Sequence, residues 1–453
     1  MALPATLVWE IRPTNGTANA GGGFDPSVAS PGTDFSQQNA VQQAYTDLII
    51  DAVTNTNITS VARAFSSVDV GNGISITGGT GFTTGIYNIR SVTGVIATVD
   101  RAVGTTGSTG GTGDLGGARS GFSVGTTTLQ ASLVAGQKAW VKNEAWNEYV
   151  NLTVAGATGS PITIEGYNTA RGDNPTGANR PLNNRAAAAG NALDLQGTHH
   201  ILKHLRFSNA GTDGVKTTAG SVSLFVNCQS ASNGGVGFNF TNNPQAWLVN
   251  CEANNNTSTG IACTNGATLV GCYAHDNTGA GISSGTTLID LNSCILEANA
   301  SHGHTMGAGY VLMNACTLDG NTGASADGYN ASTPIRAIIM NTIFSNNGRY
   351  GANVTDGDNL WADYNDFSGN ATAARNPASG AGAFPTGAND QALDPQFTDR
   401  AAGDFSIGTN LKALGFPGLF PGGLSTGYLD IGAVQRQEAA GGGASRGGRI
   451  IGG

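Results

Sequence analysis

Five stretches of this chain share one spacing: NCQSASNGGVG, NCEANNNTSTG, GCYAHDNTGAG, SCILEANASHG and ACTLDGNTGAS. In each, a Cys is followed by four residues and then an Asn. The cysteines are Cys228, Cys251, Cys272, Cys294 and Cys316; the asparagines are Asn233, Asn256, Asn277, Asn299 and Asn321. Successive Cys lie 23, 21, 22 and 22 residues apart, and a Gly stands four residues after the Asn in four of the five. The pattern extends outward with Cys replaced, as His204 with Asn209, Thr342 with Asn347 and Asn365 with Asn370. That makes eight units of 21 to 26 residues.

A fixed period of this length means that each unit covers its apolar face with the next one. Apolar positions recur at Val226, Leu248, Leu269, Leu291, Met313 and Ile339, between Asn/Gly turns. The period and the turns fit one coil of a parallel β-helix. Leucine-rich repeats share the period, but their Leu-x-x-Leu-x-Leu signature is missing. In stacked coils, equivalent residues lie ~4.8 Å apart. The cysteines then form an inward row of small apolar side chains. The Asn positions 209, 233, 256, 277, 299, 321, 347 and 370 form a turn ladder, because an amide both donates and accepts. The following Gly is expected to supply positive φ. No CxxC or Cys/His cluster accompanies the cysteines, so buried free thiols are expected and metal binding is not. Cys263 stands outside the row.

Composition agrees. Gly supplies 69 of 453 residues, and charged residues are only 11%. The net charge is −9 (21 − 30). An acidic, cation-poor chain lacks the footprint of a nucleic-acid binder, and its low charge is unlike a disordered chain. No apolar run approaches membrane-spanning length. Met1–Pro13 lacks a basic segment followed by an apolar one, so export by an ordinary secretory signal is not expected.

The expected organisation has five parts. Residues 1–57 hold an N-terminal strand and a capping helix over 34–50, since Ala40, Val41, Ala44, Tyr45, Leu48 and Ile49 share a helical face and Asp34 with Gln37 resembles a capping box. Residues 58–120 form a small β module and a Gly-rich linker. Residues 121–392 form the β-helix, regular over about 192–372. Residues 393–436 close it with short strands. Residues 437–453 are a Gly-rich tail and a possible docking arm.

Several segments carry a family resemblance. AGQKAWVKNEAWNEYVNL and GSPITIEGYN, within 135–168, are similar to the opening coils of alginate-lyase and chondroitinase-type proteins of the right-handed parallel β-helix (pectate-lyase-like) superfamily. DPQFTDRAAGDFSI (394–407) and YLDIGAVQ (428–435) resemble closing segments of bacterial β-helix proteins. Residues 65–103 resemble a β module of phage tailspike-like virion proteins. The resemblance implies an all-β, right-handed parallel β-helix. It does not by itself imply an activity.

The chemistry of that superfamily was sought in the residues. β-Elimination on a polyuronate needs a cation for the carboxylate and a base. From Ser221 to Ile335 there is no Lys or Arg, and the chain's only lysines are Lys138, Lys142, Lys203, Lys216 and Lys412. Thr212-Asp213-Gly214 and Ser301-His302-Gly303-His304 resemble pieces of a polygalacturonase-type site, but the paired aspartates expected one coil later are replaced by Asn233-Gly234-Gly235. Asp213 therefore reads as a turn residue. Arg171-Gly172-Asp173 reads as a loop tripeptide. One constellation remains. The third position after each Cys is expected to face outward, which stacks Asn254, His275, Glu297 and Asp319, with Glu252 and Tyr273 on a neighbouring column. Glu297 and Asp319 are candidate paired carboxylates with His275 beside them. Tyr273, Glu252 and Asn254 are candidate carbohydrate contacts, Tyr273 as a stacking platform. Outward rows must be polar in any case, so solvated surface is the competing reading. No cofactor is expected; Glu252, Asp276 and Glu297 offer weak Ca²⁺ donors without a calcium-loop motif.

The function expected is a structural protein on a bacteriophage virion, as head decoration or tail fibre or spike, that stabilises the particle or contacts host-surface glycans. The alternative is a carbohydrate-active enzyme on cell-wall or capsular polysaccharide. The expected partners are other capsid or tail proteins and a host polysaccharide. Neither nucleic acid nor a membrane is expected as a partner. A homo-oligomer is expected, a trimer by resemblance to tailspikes. The expected setting is a virion assembled in the host cytoplasm, or else extracellular.

Overall fold

The computed structural model describes residues 7–14, 16, 23–25, 27, 43–115, 118–123, 128–218, 222–241, 245–332, 336–355, 359–376, 384–416 and 430–435. The chain divides into two compact units: Met1–Asn184 with Leu195–Leu205, and Arg185–Asp194 with Arg206–Gly453.

Unit one holds a closed antiparallel barrel. Its spatial order is Gln43–Ile50, Asn57–Thr59, Ile96–Val99, Gly85–Thr93, Gly73–Gly78 and Gly111–Leu115. The expected capping helix is corrected here: Gln43–Ile50 is a strand, and 34–42 lie outside the described residues. The misleading helical spacing has a cause. A bulge between Tyr45 and Leu48 shifts the register, so the buried residues fall at Tyr45, Leu48 and Ile50 instead of at every second position. The barrel therefore begins before residue 58, and a boundary at 57/58 cuts through it.

The same unit pairs Trp9–Ile11, Lys138–Lys142, Ile162–Tyr167 and His200–Lys203 in parallel. Glu10 is fully buried there. The Tyr167 hydroxyl donates to it, and Arg171 Nε lies 2.9 Å from its other oxygen. Burial nevertheless raises the Glu10 carboxyl to about 6.

Unit two is a stack of coils, each giving one strand to each of three parallel sheets. Here the first sheet runs Val222–Val226, Gln245–Val249, Ala267–Val270, Leu288–Asn292, Tyr310–Asn314, Arg336–Met340 and Leu360–Asp363. The second includes Gln229–Ala231, Glu252–Asn254, Tyr273–His275, Ile295–Glu297, Thr317–Asp319 and Ile343–Ser345. The third includes Phe238–Phe240, Ile261–Cys263, Ile282–Ser284, His304–Met306, Tyr329–Ala331 and Tyr350–Val354. Apolar side chains fill the interior, among them Phe225, Phe238, Leu248, Leu269, Leu291 and Met313.

The two sequence rows become two internal ladders. Cys228, Cys251, Cys272, Cys294 and Cys316 are buried free thiols. Cys272, Cys294 and Cys316 each donate to a carbonyl of the preceding coil, Leu248, Leu269 and Leu291, at 3.4 to 3.5 Å. Burial pushes the Cys272 and Cys316 thiols up, and Cys263 up to about 12. The Asn amides bond one another from Asn233 through Asn256, Asn277, Asn299, Asn321 and Asn347 to Asn370, at 2.8 to 3.0 Å. Each internal amide also donates to a backbone carbonyl and accepts from a backbone N–H, so the ladder leaves no amide group unsatisfied.

Two details correct the expected turn. Asn209 is not a rung. Ser208 pairs with Ala231, so Asn209 aligns with Ser232, and Ala210 N donates to the first amide, Asn233. Positive φ belongs to the residue before each rung, as at Ser232 (56°), Asn255 (55°), Asp276 (54°) and Ala298 (51°). The Gly after the rung serves close approach instead. A Cβ on Gly281 would meet Asn299 Nδ2 and Gly303 O, both at 2.8 Å.

The segment expected to close the helix with short strands has none among its described residues, 393–416 and 430–435. Many of its backbone groups bond within their own turns, as Thr398 N to Ser406 O and Asp404 N to Asp399 O, while Gly432 N donates to Asn341 O and Ala433 N to Thr317 Oγ1 of the coils. Its apolar side chains pack on the second sheet: Ile407, Leu411 and Ile431 against Ile343, and Phe405 and Ala433 against Ile295. The tail 437–453 lies outside the described residues.

Candidate functional site

The strand registers stack the outward residues of the second sheet. Asn254 pairs with His275, His275 with Glu297, and Glu297 with Asp319. Glu252 pairs with Tyr273 on the neighbouring column. The six candidate residues are thus neighbours, on adjacent coils of one face.

Their contacts leave little for a ligand. Asp319 is fully buried. Ser345 Oγ donates to it at 2.6 Å, Asn346 Nδ2 at 2.9 Å, and Arg400 from the C-terminal segment forms an ion pair with it. The Tyr273 hydroxyl donates to Glu297. Burial raises the Glu297 carboxyl. The Tyr273 ring stacks on His275 at 4.0 Å and meets Phe405 edge-on at 6.4 Å. The expected platform is therefore already occupied. Burial opposes protonation of His275, but Glu252 and Asp276 outweigh it and raise its pKa. Gln229 Nε2 bridges Glu252 and Asn254. The paired-carboxylate role expected of Glu297 and Asp319 is corrected on these grounds. One partner is closed in by Arg400, and a retaining pair needs both carboxyls open to the sugar. The column is the seat of the chain's own C-terminal segment. Among the described residues no group of three His, Cys, Asp or Glu side chains gathers as a metal site.

A different face carries an open polar row. On the third sheet, Asn239, Ala262, Ser283, Thr305, Asn330 and Asn353 pair coil to coil. All face outward, and all but Ala262 are partly exposed. They bring an uncharged hydroxyl or amide to almost every ~4.8 Å step.

Beside this row sits one charged cluster. Asp327 is fully buried. Its carboxylate accepts from Arg349 Nε and Nη2 at 2.8 and 2.6 Å, from Asn330 at 2.8 Å, from Asn353 at 3.0 Å and from Tyr350 N at 3.1 Å. Burial works to raise its pKa, but these donors hold the carboxyl below the usual range. Asp327 N donates to His302 Nδ1 at 3.0 Å. That uses the lone pair of Nδ1, so the 3.5 Å approach to Asp327 Oδ2 is not an ion pair. Burial lowers the His302 pKa. The ring is neutral, with its proton on Nε2. Arg349 lies over the Tyr350 ring at 5.0 Å. The arrangement is a set of fixed donors: the Nε2–H of His302, the Arg349 guanidinium and the Asn330 and Asn353 amides.

The motif expectations divide. His304 of the Ser-His-Gly-His stretch points inward, fully buried, with Ser284 Oγ 2.9 Å from Nε2. His302 is the outward one. Asp213 accepts from Val236 N and Asn239 Nδ2, each at 2.8 Å, as a turn residue does. The polar row escaped the sequence reading although a signal existed. Asn239, Ala262, Ser283, Thr305, Asn330 and Asn353 each stand two residues after a Gly of the close-approach column.

Residues 139–294 match the family model described as right handed beta helix region. No curated protein matches the sequence. Among solved structures, pectate lyase Pel9A is similar over 68% of this chain and 90% of its own, at 13% identity and a TM-score of 0.46. A rhamnogalacturonan lyase covers 60% and 84%, at 11% and 0.36. The Azotobacter vinelandii mannuronan C-5 epimerase AlgE4 A-module covers 58% and 80%, at 16% and 0.34. These are likenesses of coil architecture alone. The stacked three-sheet coils, with this match over 139–294, give the chain a right-handed parallel β-helix fold.

Proposed function

We propose that this protein binds a polysaccharide along the third sheet of unit two. The observation that supports the reading is the register-matched row Asn239–Asn353 beside the fixed donors of the Asp327 cluster. Sugar hydroxyls both donate and accept, and a row of uncharged amides and hydroxyls serves both directions without the desolvation cost of burying charges. Repetition along the axis suits a polymer, since each added sugar meets another coil.

A second reading is β-elimination on an acidic glycan. Arg349 supports it as a cation beside a neutral imidazole and a tyrosine. A hydrolase is less well served. Asp327 is held by five donors, and the other acid of its own column, Asp213, lies five coils away, about 24 Å. The virion setting belongs to the proposal too, and peptide mass spectrometry of gradient-purified particles tests it: co-sedimentation supports it and a purely soluble protein removes it.

The direct test is affinity electrophoresis against neutral and acidic polysaccharides, with the same mixtures followed for unsaturated products. The reading expects retardation by at least one glycan, lost in an Asn330→Ala/Asn353→Ala double variant that keeps its circular dichroism. Equal retardation of wild type and double variant overturns it. Product formation that disappears in Arg349→Lys selects the elimination reading.

A further inference from the structure

The outward face of the first sheet in unit two carries most of the unit's large exposed apolar side chains, among polar ones. The registers place Trp247, Thr268, Asp290, Leu312, Ile338 and Trp361 in one outward column. Leu288 and Tyr310 pair on a flanking column. Exposure is high for side chains of this kind: Trp361 55%, Leu288 54%, Tyr310 42%, Trp247 37% and Leu312 37%. Large apolar side chains exposed together on one face mark an interaction surface.

We propose that this face is a self-association surface that packs against a second copy of the chain. Three observations choose that occupant. The first is charge. Among the described residues of these seven strands the only Lys or Arg is Arg336, at a strand start, and Asp290 accepts from Asn292 at 2.6 Å. A strongly charged partner finds nothing complementary here. The second is shape. Seven parallel strands give a regular face, and the aromatic side chains stand at separated coils instead of forming a cleft for a small molecule. The third is size. Six strand spacings span about 29 Å and five residues about 16 Å, so the face projects to about 450 Å². Two facing copies cover about 900 Å², just under the roughly 1,000 Å² of a stable complex and the size of a weak, reversible association. Trp and Tyr are also the side chains that dominate interface energies.

The test is sedimentation equilibrium of the full chain at micromolar concentration, with Trp247→Lys, Leu312→Lys and Trp361→Lys as single variants. Wild type is expected as a closed oligomer of two or more copies. Each lysine is expected to weaken association by roughly 30-fold or more, the scale of a lost hot spot. Unfolding midpoints within error of wild type show that the variants fold. Three results overturn the proposal. One is a monomeric wild type. Another is variants that keep the oligomeric mass. The last is a monomer whose glycan retardation is lost on Trp247→Lys and Trp361→Lys, which makes a polysaccharide the occupant. Failure of the third-sheet glycan reading leaves this measurement unaffected.

Discussion

Removing one rung of the amide ladder has a cost that follows from its bonds. The Asn277 side chain is 1% exposed. Its Nδ2 donates to Ala253 O at 2.9 Å and Asn299 Oδ1 at 3.0 Å, and its Oδ1 accepts from Asn256 N at 3.1 Å and Asn256 Nδ2 at 2.9 Å. Asn277→Ala strands the Asn256 N–H and one Asn256 amide hydrogen, while the Ala253 carbonyl loses its second donor and keeps its ladder bond. Asn299 Oδ1 keeps a donor in Asn277 N. Two stranded donors at about 1–3 kcal/mol each, reduced by local relaxation, give about 2–4 kcal/mol. Asn370 ends the ladder and is partly exposed. Its loss leaves the corresponding Asn347 N–H and amide hydrogen without their acceptor, but at this open end water replaces it, so Asn370→Ala costs about 1 kcal/mol. Denaturant unfolding followed by far-ultraviolet circular dichroism reads both. The reasoning fails if Asn277→Ala costs less than about 1 kcal/mol, or no more than Asn370→Ala.

Other outcomes follow from single groups. Burial pushes His304 down to about 3, so the unfolded chain takes up its proton first as pH falls below about 6.5. Stability is full above that pH and drops by about 2 kcal/mol from this group between pH 6.5 and 5; His304→Phe is expected to remove that part of the slope, measured by denaturation at both pH values. All six cysteines are buried and free, so a thiol reagent is expected to label none in the native protein and all after unfolding; fast native labelling of any would contradict the inward row. Arg400→Ala leaves the buried Asp319 charge without its ion pair. Arg400 is 43% exposed in its side chain, so the cost is discounted from that of a fully buried pair to about 1–3 kcal/mol. Proteolysis within 397–411 is expected to accelerate, and an unchanged cleavage rate would show that the ion pair does not hold the segment down.

Much of this fold was legible because a repeat states the same physics many times. The Cys-x4-Asn spacing carried the coil length, the inward thiols and the outward column through Glu297 and Asp319. Singular features were harder. The strand Gln43–Ile50 looked helical because a bulge broke its alternation. Asn209 looked like a rung because its coil is one residue out of step with the next. The glycines suggested positive φ, although the lack of room beside the amide ladder is what requires them. The candidate site was misread for a different reason. Sequence periodicity places residues on a face but does not say what covers it. Arg400 and Phe405 lie about a hundred residues from the column they close, and no repeat announces that contact.

The most direct test of the account sets the two polar faces against each other. Polysaccharide retardation would be measured for Glu297→Gln and for the Asn330→Ala/Asn353→Ala double variant on the same gels as wild type. The account predicts wild-type retardation for Glu297→Gln and loss for the double variant, because the second sheet seats the C-terminal segment and the third sheet meets the glycan. Loss in Glu297→Gln with full retardation in the double variant would contradict it and return the working surface to the carboxylate column.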